Sequence, residues 1–303
     1  MRIQWDKIEG LVAPPLTPLN QDGTMNLKAI APYVDHLASS GIKSVFVNGT
    51  SGESMSLTVD ERKQLAEAWV RHGKGKLDHV IVHCGAGNAS ETNQLVLHAK
   101  GLGVKAVGVM CPSFFRPHSP EEVVDYLLAS TRGAEEVPLL YYHFPAMSNV
   151  TVPVTRVLKL GQSLLPHLVG AKFTSYNLDD AMQAQQLADM QIFVGYDTVF
   201  LGACAMGLDQ MIGVTCNLFG PINNQLRDAF RRGDLQTARD AQLRIQRATE
   251  IITAGGKVNY ICGYKAVMKA KGLDLGPARA PLPSLPDPTA QEICQSLVKE
   301  KLI

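Results

Sequence analysis

Eight short apolar runs, each followed by a polar stretch of helical period, constrain this chain more than any other feature. In order they are GLVAPPLTP, SVFVNG, HVIVHCG, AVGVMCP, PLLYYH, LVGAKF, QIFVG and QMIGVT. They are apolar throughout rather than alternating, as in strands of a parallel sheet buried on both faces. Between the second and third lies TVDERKQLAEAWVRHG. Leu65, Ala66 and Trp69 mark one helical face there, and Thr58 with Glu61 forms a capping box at its start. Strands alternating with helices predict an α/β fold, and eight of them predict a closed (β/α)8 TIM barrel. An open doubly wound sheet is the competing arrangement, but no GxGxxG opens a helix after any of the runs.

The eighth run ends near Thr215, which leaves more chain than one last helix needs. NNQLRDAFRRGDLQTARDAQLRIQRATEIITAGG predicts two helices broken at RGDLQ. YICGYKAVMKAKG and TAQEICQSLVKEKL predict two more, on either side of the Pro-rich GPARAPLPSLPDP. We expect residues 1–220 to form the barrel. Residues 221–303 would supply its final helix and a C-terminal helical extension, an appendage rather than an independent domain.

Composition narrows the partners. The 303 residues carry a net charge of +1, with 46% hydrophobic and 19% charged side chains. That balance lacks the basic face that phosphate binding needs, so nucleic acid is not expected as a partner. No apolar run reaches the ~18 residues of a membrane span. Asp6 and Glu9 interrupt the place where a secretory signal would need its apolar core. The six cysteines are scattered without a CxxC pair and read as free thiols of a reducing compartment. The expectation is a cytoplasmic protein with a small-molecule substrate and no membrane. Neither an HExxH motif nor a histidine cluster points to a metal.

Barrel enzymes react at the carboxyl ends of their strands, so the polar groups there are the ones to weigh. Lys172 in VGAKFTSY stands inside an apolar run, where an ammonium loses hydration that the interior cannot replace. Lys43 and Lys105 are the controls. Both precede their apolar stretches, at the amino ends of strands, where a lysine reaches water; Lys172 follows LVGA, at the carboxyl end. The second run ends in NGTSGES, whose glycines let the backbone turn tightly and expose amides beside Thr50 and Ser51. That turn suits a small carboxylate or phosphate, or is simply an ordinary turn before the helix. In PLLYYHFPAM, Tyr141 and Tyr142 point opposite ways and His143 points with Tyr141, so one tyrosine faces the barrel axis. In VGYDTVF, Gly195 and Asp197 share a face. Asp197 either accepts hydrogen bonds from a polyol or caps the next helix.

Together these groups support one reaction. A desolvated lysine has a lowered pKa and becomes a nucleophilic amine near neutral pH. Attack on a 2-oxo acid gives a Schiff base, whose protonated form withdraws electrons from the neighbouring C–C bond. The carboxylate would sit at Thr50 and Ser51, the carbonyl carbon at Lys172, and Tyr142 would carry the proton of the aldol hydroxyl. No metal or organic cofactor is required.

GTSGES, YYHFPAM and GAKFTS, in that order and roughly ninety then thirty residues apart, resemble the N-acetylneuraminate lyase/dihydrodipicolinate synthase family of Schiff-base aldolases. GLVAPPLTPLNQDG and AEAWVRHGKGKLDHVIVHCGA look like the animal lyase branch of that family. The resemblance implies a (β/α)8 barrel with a helical extension, a homotetramer, and a covalent pyruvate adduct. It makes Lys172 the Schiff-base residue and Tyr142 the proton carrier. Thr50 and Ser51 would hold the pyruvate carboxylate, and Thr174, Gly195 and Asp197 would touch the sugar portion. Two features point away from the synthases: Met147 stands where they carry an arginine, and Ser113 and Phe114 where they carry a tyrosine pair. Two others thin the lyase sugar site. Thr198 follows Asp197 where a second carboxylate is usual, and Val214 in GVTCN replaces a hydroxyl. The implied activity is cleavage of N-acetylneuraminate to N-acetylmannosamine and pyruvate. The alternatives are a related aldolase with a less polar acceptor, and a non-catalytic binding barrel.

Overall fold

The computed structural model describes residues 2–303. In chain order the elements are β1 (Leu11–Ala13), α1 (Ile30–Ser39), β2 (Ser44–Val47), α2 (Val59–Gly73), β3 (His79–His83), α3 (Ala89–Gly101) and β4 (Ala106–Val109). There follow α4 (Pro120–Thr131), β5 (Leu139–His143), the single turn α5 (Pro145–Ser148), α6 (Val154–Leu164), β6 (Leu168–Phe173) and α7 (Leu178–Gln185). The chain ends with β7 (Gln191–Val194), α8 (Phe200–Ala205), β8 (Met211–Ile212), α9 (Cys216–Arg231), α10 (Leu235–Ile252), α11 (Tyr260–Ala270) and α12 (Asp287–Lys299). The eight strands close in sequence order, all parallel, with β1 pairing β8. All eight apolar runs are strands of this barrel, and the four helices expected after the last of them are present.

Alternation along the strands divides the core in two. Val45, Val47, Val107, Val109, Tyr141 and Phe173 pack outward against the helices. Phe46, Ile81, Ala106, Leu140, Tyr142, Phe193 and Ile212 fill the barrel. The amino end is plugged by the N-terminal segment. There Ile8 is fully buried, and the Gln191 amide accepts from the Ile8 N–H at 3.1 Å and donates to its carbonyl at 2.8 Å. Lys105 lies over the Trp5 ring at 4.9 Å on this side, away from the reactive end. Local signals hold as well: the Thr58–Glu61 capping box starts α2, and Asp234, within the RGDLQ break, caps α10.

One irregularity decides which way the barrel's buried lysine points. Leu139 of β5 pairs with Leu168, but Leu140 pairs with Gly170, so β6 carries an extra residue, a β-bulge, at Val169. Val169 packs inside the barrel, whereas Ala171 and Phe173 pack outside. Strict alternation from Val169 would have turned Lys172 out toward the helices. The inserted residue reverses the phase, and Lys172 enters the barrel directly beside Tyr142, its partner in register. Gly170 makes the step possible. Its φ is +155°, and a Cβ there would stand 1.9 Å from the Gln191 carbonyl oxygen.

Gly170→Ala is therefore expected to cost about 3 kcal/mol or more, since backbone rather than a flexible side chain must yield. Urea denaturation would measure it. A loss under about 0.5 kcal/mol, the range of an ordinary surface change, would show that the bulge tolerates a side chain.

Candidate active site

Lys172 is 4% exposed. Its Nζ lies 4.2 Å from the centre of the Phe46 ring and 4.3 Å from that of Tyr142. Among the described residues it forms no ion pair. Burial lowers its pKa to about 7, against the opposing pull of Asp197. An amine that is largely neutral near pH 7 is a competent nucleophile.

Tyr142 enters from β5 on the same inner face. Its hydroxyl is 3.0 Å from Thr50 Oγ1, and burial pushes its pKa upward, so it stays a neutral phenol. Thr50 belongs to the tight turn after β2, in which Gly52 N–H donates to the Gly49 carbonyl and Glu53 N–H to that of Thr50, each at 3.0 Å. Among the described residues, the Thr50 and Ser51 amides find no hydrogen-bond partner in the chain. Two unspent amides and two hydroxyls beside a lysine suit a carboxylate. The Ser51 hydroxyl lies 3.5 Å from that of Tyr260, at the start of α11.

Thr174 follows β6, and its buried hydroxyl has no hydrogen-bond partner among the described residues. Gly195 follows β7, and a Cβ there would come within 2.0 Å of Thr174 Oγ1, so only glycine lets the two loops approach. Asp197 is not the N-cap of the helix that follows, α8, a place held by Val199. Its Oδ1 accepts from the Thr215 N–H at 2.9 Å and also from the Thr215 hydroxyl, which ties the loop after β7 to the one after β8. Farther out, an aromatic series runs from the lysine to the surface. Phe144 stacks on Tyr142 at 5.9 Å, Tyr196 meets Phe144 edge-on at 6.1 Å, and Tyr176 stacks on Tyr196 at 4.2 Å. Tyr176 is 66% exposed at the rim.

Residues 7–301 match the dihydrodipicolinate synthetase family. The chain belongs to that family. It is 38% identical over 297 residues to the N-acetylneuraminate lyase of Danio rerio, covering 96% of each chain. It is 40% identical over 282 residues to that of Gallus gallus, covering 91% of each. Among solved structures, Proteus mirabilis N-acetylneuraminate lyase superposes with a TM-score of 0.93 at 29% identity, over 98% of this chain and all of that one.

In this member of the family, the seven residues expected at the site divide into two groups. Lys172, Tyr142, Thr50 and Thr174 converge inside the mouth, with Gly195 packed on Thr174. Ser51 is engaged by Tyr260, and the buried Asp197, whose charge acts on Lys172, is engaged by Thr215. Three neighbours lay outside the sequence reading: Tyr260, Phe46 and His83. The His83 ring is edge-on to Tyr142 at 5.4 Å, and its Nδ1–H donates to the Asn48 carbonyl at 2.8 Å. Burial, with Arg62 nearby, holds its pKa well below the usual histidine range, so it is neutral. Among the described residues no three His, Cys, Asp or Glu side chains gather to hold a metal ion, and no helix is long and apolar enough to cross a membrane.

The lowered pKa of Lys172 carries a signed consequence. Between about 7 and its unfolded value, the unfolded chain holds a proton that the native one does not, so stability rises with pH across that window. Lys172→Met should abolish that slope and stabilise the protein at pH 7 by up to roughly 4–5 kcal/mol, the full cost of such a shift. Unfolding curves from pH 6 to 10 on both proteins check it. Parallel curves would mean that the lysine stays charged in the fold.

Proposed function

We propose that this protein is a pyruvate-dependent class I aldolase that cleaves N-acetylneuraminate to N-acetylmannosamine and pyruvate. The observation that carries the reading is the amine of Lys172, dry and without an ion pair among the described residues, beside the Tyr142–Thr50 hydrogen bond. Its relatives' activity supports the choice of substrate. Lys172 attacks C2 of the open-chain keto acid, and loss of water leaves an imine. Thr50 and Ser51 hold the carboxylate. The C3–C4 bond breaks as its electrons move into the protonated imine, giving an enamine. The C4 hydroxyl proton leaves through Tyr142, whose own proton moves on toward Thr50 and the bound carboxylate, and C4 becomes the aldehyde carbon. Protonation of the enamine at C3 and hydrolysis then free pyruvate and the amine. Pyruvate is bonded to the protein itself, so no metal or organic cofactor takes part. Thr174, Gly195 and Asp197 shape the acceptor half of the cleft.

We further read the chain as a cytoplasmic homotetramer. The family resemblance supports the assembly, as does the loop after β4, where Phe114 and Phe115 are each 85% exposed. The compartment is supported by six free cysteines.

Borohydride added with pyruvate should label wild-type protein at Lys172, mapped by mass spectrometry, and the same protein should release pyruvate from sialic acid. Tyr142→Phe should still be labelled while turnover falls by about 100-fold or more. Unlabelled Lys172 would end the aldolase reading, and equal turnover in Tyr142→Phe would remove that residue from the proton path.

Thr198 and Val214, both half-buried, favour the second reading, an aldolase with a less polar acceptor. If sialic acid is the substrate, Val214→Ser should raise kcat/KM for it by up to about tenfold, the worth of one restored hydrogen bond. A panel of aldehydes condensed with pyruvate decides between the two. Preference for a small apolar aldehyde over N-acetylmannosamine would replace the substrate and keep the mechanism.

A further inference from the structure

Glu53 ends the GTSGE turn, yet none of the chemistry above uses it. Its side chain is completely enclosed. Oε1 lies 2.6 Å from Lys265 Nζ, whose side chain is 3% exposed, and Oε2 accepts the Arg279 backbone N–H at 2.7 Å. Lys265 Nζ also donates to the Pro277 carbonyl at 2.7 Å. The Glu53 backbone sits at φ +55° and ψ 31°, a left-handed conformation that a glutamate keeps only where its surroundings over-determine it. An ion pair this dry is a poor way to stabilise a fold, since apolar side chains of similar volume do as well or better. Position is what it supplies.

The loop is gripped from two sides. From the barrel, Thr17 Oγ1 donates to the Gly52 carbonyl at 2.6 Å. From the extension come Lys265 and Arg279. The Arg279 guanidinium spans both Glu61 oxygens at 2.8 Å and donates to the Ser56 carbonyl at 2.8 Å. Thr50 and Ser51 immediately precede the first two gripped residues, Gly52 and Glu53. Tyr260, which meets the Ser51 hydroxyl, lies on α11, the helix that carries Lys265. One helix therefore both anchors the turn and faces its hydroxyls.

We propose that Glu53 and Lys265 are positioning residues. Their ion pair locks the turn so that Thr50 and Ser51 present their amides and hydroxyls to the substrate carboxylate at a set place relative to Lys172. The inference rests on the proposed aldolase function, because it assumes that the turn binds a carboxylate.

The test is borohydride trapping of pyruvate as a function of its concentration. Lys265→Met and Glu53→Gln each break the pair, and the double variant removes both charges so that neither is left buried alone. Half-saturating pyruvate should rise by about tenfold or more in all three, while the extent of labelling at saturation and its pH profile stay as in wild type. Val267→Ala, a cavity in the same helix, is the control for lost stability and should leave half-saturation unchanged. If the charge-altered variants do not fold, Glu53→Asp carries the test, because it keeps the charge and shortens the reach; a several-fold rise is expected. A folded double variant, or Glu53→Asp, that saturates at the wild-type pyruvate concentration overturns the proposal. So does Val267→Ala with the same defect, since any loosening of α11 would then suffice. Wild-type protein that traps no pyruvate is a separate outcome: it defeats the functional reading and, with it, any role of the pair in carboxylate binding.

Discussion

The site depends on a single displaced residue in β6. The bulge at Val169 sends two side chains inward three positions apart, Val169 and Lys172, where a regular strand would send alternate ones. Everything chemically notable about Lys172 follows from that. Facing outward it would lie between barrel and helices, away from the mouth. Facing inward it lies over two aromatic rings and beside a phenol, and loses its hydration. Aromatic faces offer an ammonium some attraction, but less than water does, so the proton is held loosely. A strand's phase thus becomes an amine's basicity.

The two halves of the cleft are built differently. Around the lysine, polar groups are tied to one another: Tyr142 to Thr50, Asp197 to Thr215, and Thr215 in turn to Asn223, whose amide donates to its hydroxyl at 2.9 Å. Gln242 of α10 donates to the Asp197 carbonyl at 3.1 Å, so even the rear of that loop is fixed. Such a network presents its donors without first having to be ordered, which suits a step whose charge must be met at one place. Toward the rim the lining becomes aromatic and open, ending in the exposed Tyr176. The inner half is thus bound up in hydrogen bonds, whereas the outer half is lined by aromatic faces.

How much of this was legible follows from the range of each interaction. Strand number, the capping box that starts α2 and the separation of Lys172 from Lys43 and Lys105 are local patterns, and they read correctly. The position of Lys172 at a carboxyl end was legible, but its facing was not, because the bulge depends on Gly170 meeting the Gln191 backbone of the next strand. Asp197 was read as a sugar ligand or a helix cap; its Oδ1 holds Thr215, eighteen positions on, a partner that neither reading named. Tyr260 was passed over as one more residue of an amphipathic helix. Its partner Ser51 is 209 positions away, and no periodicity spans that interval.

The C-terminal segment packs on the barrel and meets the turn after β2 through Tyr260. Tyr264, Val267 and Met268 of α11, with Ile293 and Leu297 of α12, belong to the same apolar layer as the barrel's outward-facing strands. Its polar side chains reach back as well, Lys265 to Glu53 and Arg279 to Glu61, across a gap of more than two hundred positions. A turn as rich in small residues as GTSGES has little side-chain bulk to define its own shape. Left to itself it would sample several conformations and lose entropy on binding each anion. Packing a helix against it and sealing the contact with an enclosed ion pair would transfer that ordering cost from the binding step to folding, so that a carboxylate bound as proposed would meet donors already in place.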